Sequence, residues 1–134
     1  MMTGQCLCGA VTFTAEHVET DCHACHCGMC RRWAGGSGFL AADCKGVTFA
    51  GDGLKRFASS DWAERGFCST CGTTLFYFLK PTGLYAISVG AFDDQTPFKL
   101  VREIFIDKKP AGYAFAGDHE RWTEDETFKR LTPT

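Results

Sequence analysis

Phe67-Cys68-Ser69-Thr70-Cys71-Gly72-Thr73-Thr74-Leu75-Phe76-Tyr77-Phe78-Leu79 is the stretch that organises the chain. It opens as C-x-x-C-G, where the glycine permits a tight turn that points both sulfurs at one ion. It then runs into Thr73 to Leu79, a β-rich strand. Pro81-Thr82-Gly83 reads as a turn and Leu84 to Val89 as the returning strand of a hairpin. Towards the N-terminus, Arg65 to Phe67 and Leu54 to Ala58 read as further strands. Gly51-Asp52-Gly53 reads as a tight hairpin turn after Val47-Thr48-Phe49. Phe39 to Ala42 follows the Gly35-Gly36-Ser37-Gly38 breaker, and Val11-Thr12-Phe13-Thr14 follows Cys8-Gly9. Leu100 to Ile106 closes the series. Strands this closely spaced, with glycine turns between them, predict a mainly β, antiparallel architecture. Helix signals are few. Cys27 to Trp33 offers one turn, and Thr123-x-x-Glu126 is a capping box before Phe128 and Leu131, predicting a short C-terminal helix. Phe13, Phe39, Phe49, Phe57, Phe76 and Phe78 are expected in the core.

The length of 134 residues suits one domain over residues 1–134. A net charge of −2 with interleaved signs excludes a strong nucleic-acid footprint and a polybasic membrane tail. Met1-Met2-Thr3-Gly4-Gln5-Cys6 lacks the basic and apolar regions of a signal peptide, and Leu75 to Leu79 is too short to span a bilayer. A reducing cytosol is the expected compartment. The nine cysteines are odd in number, so they do not all pair within one chain. Clustered cysteines in that compartment point to metal or catalysis. Isolated Cys44 reads as a buried small hydrophobe.

Three clusters carry the chemistry: Cys6-Leu7-Cys8, Cys25-His26-Cys27-Gly28-Met29-Cys30 and Cys68-Ser69-Thr70-Cys71. Zinc sites are usually tetrahedral, so ligands can be counted. Cys6, Cys8, Cys68 and Cys71 make one closed, structural site. Cys25, Cys27 and Cys30 leave a fourth position open for water or substrate, where a metal activates a nucleophile or polarises an oxygen. A rival grouping joins Cys22, Cys25, Cys27 and Cys30 in one tight loop, and iron–sulfur ligation is a further alternative. His23 and His26 flank the triplet as possible nitrogen ligands, though a supporting or solvent-facing place suits them better. Arg31 and Arg32 follow it as fork-shaped donors for carboxylates, or as an ordinary surface pair.

Gly4-x-Cys6-x-Cys8-Gly9-x-Val11, Cys25-His26-Cys27-x-x-Cys30-Arg31-Arg32, Ser59-Ser60, Arg65-x-Phe67-Cys68-x-x-Cys71-Gly72 and Gly90-x-x-Asp93 occur in that order. The pattern closely resembles the glutathione-dependent formaldehyde-activating enzyme family, which also holds the centromere protein V relatives. The resemblance runs from about residue 4 to residue 115 and implies a β-tent of folded antiparallel sheets. It implies two zinc ions per chain: a structural one on Cys6, Cys8, Cys68 and Cys71, and a catalytic one on Cys25, Cys27 and Cys30. The implied activity is a carbon–sulfur lyase joining glutathione, or another small thiol, to formaldehyde to give S-hydroxymethylglutathione. Arg31, Arg32 and Arg65 are candidates for glutathione carboxylates, and Ser59 and Ser60 for its peptide groups. Two positions depart from the family pattern. Glu103-Ile104-Phe105 stands where members often carry His-Ile-aromatic, and Tyr113 follows Pro110-Ala111-Gly112 where tryptophan is usual. Two other classes compete: a non-catalytic zinc-stabilised binding module, and a thiol redox enzyme. The latter needs an exposed low-pKa cysteine, for which Cys22 and Cys44 are the candidates.

Overall fold

The computed structural model describes residues 1–130. In chain order, five strands come first: β1 (Met2–Gln5), β2 (Val11–Val18), β3 (Asp21–Cys25), β4 (Phe39–Gly51) and β5 (Leu54–Ala58). Then follow β6 (Ala63–Cys68), β7 (Thr74–Leu79), β8 (Leu84–Ser88), β9 (Lys99–Ile104) and β10 (Glu120–Arg121). Helix α1 (Gly28–Ala34) lies between β3 and β4, and α2 (Glu124–Arg130) follows β10. The mainly β expectation holds. The described residues divide into two compact units, residues 1–20 with 41–98 and residues 21–40 with 99–130.

The first unit is antiparallel throughout, in the order β1-β2-β4-β8-β7-β6-β5. Alternation explains its strands. In β2, Val11, Phe13 and Ala15 are buried while Thr12 and Glu16 face out. Pro81-Thr82-Gly83 forms the expected β7–β8 hairpin, with the Gly83 N–H on the Leu79 carbonyl at 2.9 Å. Gly51-Asp52-Gly53 does not form one, because β4 pairs β2 and β8 whereas β5 pairs β6. The glycines serve close approach instead. A Cβ on Gly51 would meet the Ala10 carbonyl oxygen at 2.0 Å, and one on Gly53 the Cys68 sulfur at 3.2 Å. Gly90-x-x-Asp93 also has a structural use, since Asp93 accepts the Thr3 hydroxyl at 2.7 Å and ties down β1.

Leu75, Phe76 and Ile87 are fully buried, and Phe49 and Tyr85 pack on Phe76 with ring centroids at 4.9 Å. Phe13 and Phe39 are buried as expected, and Phe49 and Phe78 are half-buried. Phe57 corrects the core reading: it stands 63% exposed on β5, which pairs on one side only.

The second unit is built differently. β3 runs parallel to β9, and β9 parallel to β10. Glycine turns signal hairpins and give no sign of parallel pairs, which need long connections. Helix α1 is capped at its start by the Cys27 sulfur, which accepts the Cys30 N–H at 3.4 Å. It ends on Gly35 at φ 100°. The capping box before α2 forms as predicted: the Glu126 N–H reaches the Thr123 hydroxyl at 3.2 Å and the Thr123 N–H the Glu126 carboxylate at 3.0 Å. Phe128 packs edge-on against Phe105. Leu131, the other apolar position of that pattern, lies outside the described residues.

Gly66 sits where the β6–β7 register shifts, and a Cβ there would fall 2.2 Å from the Phe76 ring. Phe76 is fully buried and hemmed in by other rings, so it has nowhere to move. Gly66→Ala is expected to cost about 1–3 kcal/mol of stability, read as a lower urea midpoint with unchanged slope.

Candidate metal centres

The first cluster joins the β1–β2 turn to the β6–β7 turn, which lie towards opposite ends of the first unit's strand order. Both turns are built alike. Gly9 at φ 83° and Gly72 at φ 79° turn the chain just after the second cysteine of each. Their N–H groups reach back to the Cys6 and Cys68 carbonyls at 3.2 and 2.8 Å. Backbone N–H groups also point at sulfur, from Val11 to Cys6 at 3.3 Å and from Thr70 to Cys68 at 3.4 Å. Thr73 bridges the two turns: its hydroxyl oxygen lies 3.1 Å from the Cys71 sulfur and accepts the Leu7 N–H at 3.0 Å.

The four sulfurs all lie within 4.8 Å of one another. Cys6 and Cys8 are 3.7 Å apart, and Cys8 and Cys68 are 3.8 Å apart. A tetrahedral ion with metal–sulfur bonds of about 2.3 Å requires sulfurs about 3.8 Å apart. A disulfide requires about 2.05 Å. The donor set therefore fits a closed four-thiolate site. Crowding shows in the thiol acidities. The Thr73 hydroxyl and N–H draw Cys71 down to about 5. At Cys8 the Ala10 N–H favours the thiolate, yet partial desolvation and the neighbouring sulfurs push it up to about 11. Close thiols without a cation behave this way, since the first proton leaves easily and later ones are held.

In the second unit, Cys25 ends β3, Cys27 caps α1 and Cys30 lies within it, their sulfurs again within 4.8 Å of one another. The sulfurs of Cys27 and Cys30, and then burial, push the Cys25 thiol far above its ordinary value. The set has three members among the described residues, and Cys22, 1% exposed, stands outside it. The four-cysteine loop grouping is thus not formed. Burial raises the Cys22 thiol, and burial with Asp43 raises Cys44 to about 12, so neither matches an activated redox cysteine. Two cysteine clusters in this chain could hold metal ions.

Sequence reasoning missed what surrounds the triplet. His26, between Cys25 and Cys27, is fully buried, which fits the supporting place expected for it and not the solvent-facing one. Its Nε2 lies 2.7 Å from Glu103, and its Nδ1 lies 2.9 Å from the Tyr113 hydroxyl. The Gly38 N–H also donates to that hydroxyl's oxygen. Both ring nitrogens are thereby engaged away from the sulfurs. Glu103, 1% exposed, also accepts from His119 at 2.5 Å and Arg121 at 3.0 Å. Burial alone would raise its carboxyl, but the hydrogen bonds from His119 and His26 and the Arg121 charge hold it below its ordinary value. The two departures from the family pattern, Glu103 and Tyr113, thus meet on one histidine.

Of the other predicted site residues, Arg31 and Arg32 lie on α1 with the triplet. Arg31 donates its Nε to the His26 carbonyl at 2.9 Å, while Arg32 is exposed. Ser59, Ser60 and Arg65 belong to the first unit. The Ser59 and Ser60 hydroxyls are buried with no hydrogen-bond partner among the described residues. Arg65, 6% exposed, lies over the Tyr77 ring at 5.1 Å. No helix among the described residues is long and apolar enough to cross a membrane.

An uncharacterized lyase of Schizosaccharomyces pombe is 34% identical over 131 residues, 96% of this chain and 95% of the yeast protein. A Halomonas elongata protein named for formaldehyde activation is 31% identical over 93 residues, 58% of this chain and 56% of its own. A crystal structure of a Rhodobacter sphaeroides protein shares the fold, with a TM-score of 0.60 at 22% identity, covering 91% of this chain and all of the other. The family model of the glutathione-dependent formaldehyde-activating enzymes matches residues 1–108. The chain belongs to that family.

Proposed function

We propose that the protein is a zinc-dependent carbon–sulfur lyase that joins a small thiol, glutathione in the first instance, to formaldehyde, and runs the reverse reaction. The observation that carries this reading is the unequal sulfur count, four in one cluster and three in the other. The family and the lyase name of the yeast relative support it. On this reading Cys6, Cys8, Cys68 and Cys71 hold a structural zinc, Cys25, Cys27 and Cys30 hold a catalytic one, and residues 1–134 work as one domain. A cation at the triplet would supply the positive charge that keeps a thiol ionised or polarises an aldehyde oxygen.

The reaction is balanced without a co-reactant. A sulfur–carbon bond forms, and the thiol proton ends on the former carbonyl oxygen. The chain's own residues have three tasks. The triplet and the buried His26 beside it fix where the sulfur arrives. Arg31 and Arg32 offer guanidinium donors for glutathione carboxylates next to that point. On this reading Arg65 is a further candidate for a glutathione carboxylate, and Ser59 and Ser60, whose buried hydroxyls have no hydrogen-bond partner among the described residues, are candidates for its peptide groups.

Two outcomes test this. Glutathione titrated into metal-loaded protein should bind by calorimetry, and Arg31→Ala should weaken binding by roughly tenfold, the loss of one charge-assisted hydrogen bond. No heat with glutathione or any related thiol would favour a zinc-stabilised binding module. The second outcome concerns the two clusters. Ligation that joins residues 6–8 to 68–71 closes a long loop, so its binding energy is largely folding energy. Cys68→Ser should abolish soluble expression or sharply lower the melting temperature. Cys27→Ser, in a cluster that spans six residues, should leave a folded, inactive chain with one zinc. Zinc per chain and thermal melting check both, and the reverse pattern would exchange the two roles.

A further inference from the structure

We propose that Glu103 is a positioning residue for the triplet: acting through His26, it fixes the chain between Cys25 and Cys27 so that their sulfurs are held ready for a cation. The inference rests on the reading of the triplet as a metal site.

One residue separates the end of β3 from the cap of α1, and the orientation of both sulfurs turns on it. That residue is His26, and it is pinned at four points. Its N–H donates to the Ile104 carbonyl at 3.0 Å, and its carbonyl accepts the Arg31 Nε at 2.9 Å. Its ring is held by Glu103 at 2.7 Å and Tyr113 at 2.9 Å. The backbone bonds fix where the residue sits, and the ring bonds fix how it is turned.

Glu103 controls more than one of these restraints. On β9 it pairs with Ala24 of β3, and on its other side with Arg121 of β10. Arg121, paired with Glu103, also donates to the Phe115 and Gly117 carbonyls at 3.3 and 3.0 Å. The segment that carries Tyr113 and Phe115 across His26 is therefore cinched from the same carboxylate, and their rings stand 5.7 and 5.4 Å from the His26 ring. A fully buried carboxylate with three nitrogen partners is costly where an apolar side chain would fill a strand. Holding three mutually repelling sulfurs in place gives that cost a purpose. Tyr113, His119 and Arg121 all lie beyond residue 108, outside the segment that the family model matches.

The test is a cobalt(II) titration of the metal-free, reduced full chain against a chromophoric chelator, following thiolate-to-cobalt absorption. Cys27→Ser assigns which step belongs to the triplet. Glu103→Gln should weaken the triplet step about 10- to 100-fold, as loss of a supporting partner does at metal sites, and leave the four-cysteine step unchanged. Glu103→Asp should recover part of the loss, and Tyr113→Phe should weaken the same step less. An unchanged triplet step in Glu103→Gln overturns the proposal. Equal weakening of both steps also overturns it, because Glu103 would then be a strut of the fold. Should Glu103→Gln not fold, an unchanged triplet step in Tyr113→Phe overturns it. A wild-type chain with a single step sinks the triplet-metal reading itself, whereas two wild-type steps that Glu103→Gln leaves alone sink only this inference.

Discussion

Cysteine sulfurs 3.7 to 3.8 Å apart are too distant to be disulfides and too close to be stable together as anions without a cation among them. The first unit depends on that spacing. Its strand order places β1–β2 at one end and β6–β7 towards the other, and the four sulfurs hold these two turns together. The Gly51–Gly53 connection lies against the same point, with Gly53 beside Cys68 and its carbonyl accepting the Ser69 N–H at 2.7 Å. A small domain has only about 5–15 kcal/mol of stability. A cation that had to leave before these turns part would be a large share of it.

The second cluster uses the same chemistry under a different constraint. Its three sulfurs come from one β3–α1 junction, so a cation there closes almost no loop and adds little to the fold. What it needs is orientation, and orientation comes from polar groups rather than chain closure. The buried His26–Glu103 pair, flanked by Tyr113, His119 and Arg121, supplies it. The engaged imidazole stays out of the three-sulfur set, so on the proposed reading a fourth position would remain for an incoming group. On that reading, stapling and chemistry are divided between two clusters of one residue type.

The cysteine spacing made both clusters legible in the sequence, because ligand counting requires only which sulfurs are near one another along the chain and how many an ion takes. The antiparallel first unit was legible for a similar reason: alternation in β2 and the Pro81-Thr82-Gly83 turn are local signals. Three things were not. Gly51-Asp52-Gly53 reads as a hairpin, yet its glycines answer to Ala10 and Cys68, contacts that periodicity does not carry. The parallel β3–β9 and β9–β10 pairs leave no turn signature. Glu103 reads as a polar residue on a strand, and its partners His26 and His119 stand 77 and 16 residues away. The departures of Glu103 and Tyr113 from the family pattern were the available hint, and they mark the two side chains that hold the His26 ring.

X-ray absorption at the zinc edge tests the central claim, that one chain holds two metals in unlike coordination. Fully loaded protein should show about 3.5 sulfurs per zinc near 2.3 Å with about half a nitrogen or oxygen neighbour, the mean of a closed four-sulfur site and an open three-sulfur one. Cys27→Ser should move that mean to four sulfurs with no lighter neighbour. Four sulfurs on every zinc in the wild-type chain, or a light neighbour that persists in Cys27→Ser, would contradict the division of roles.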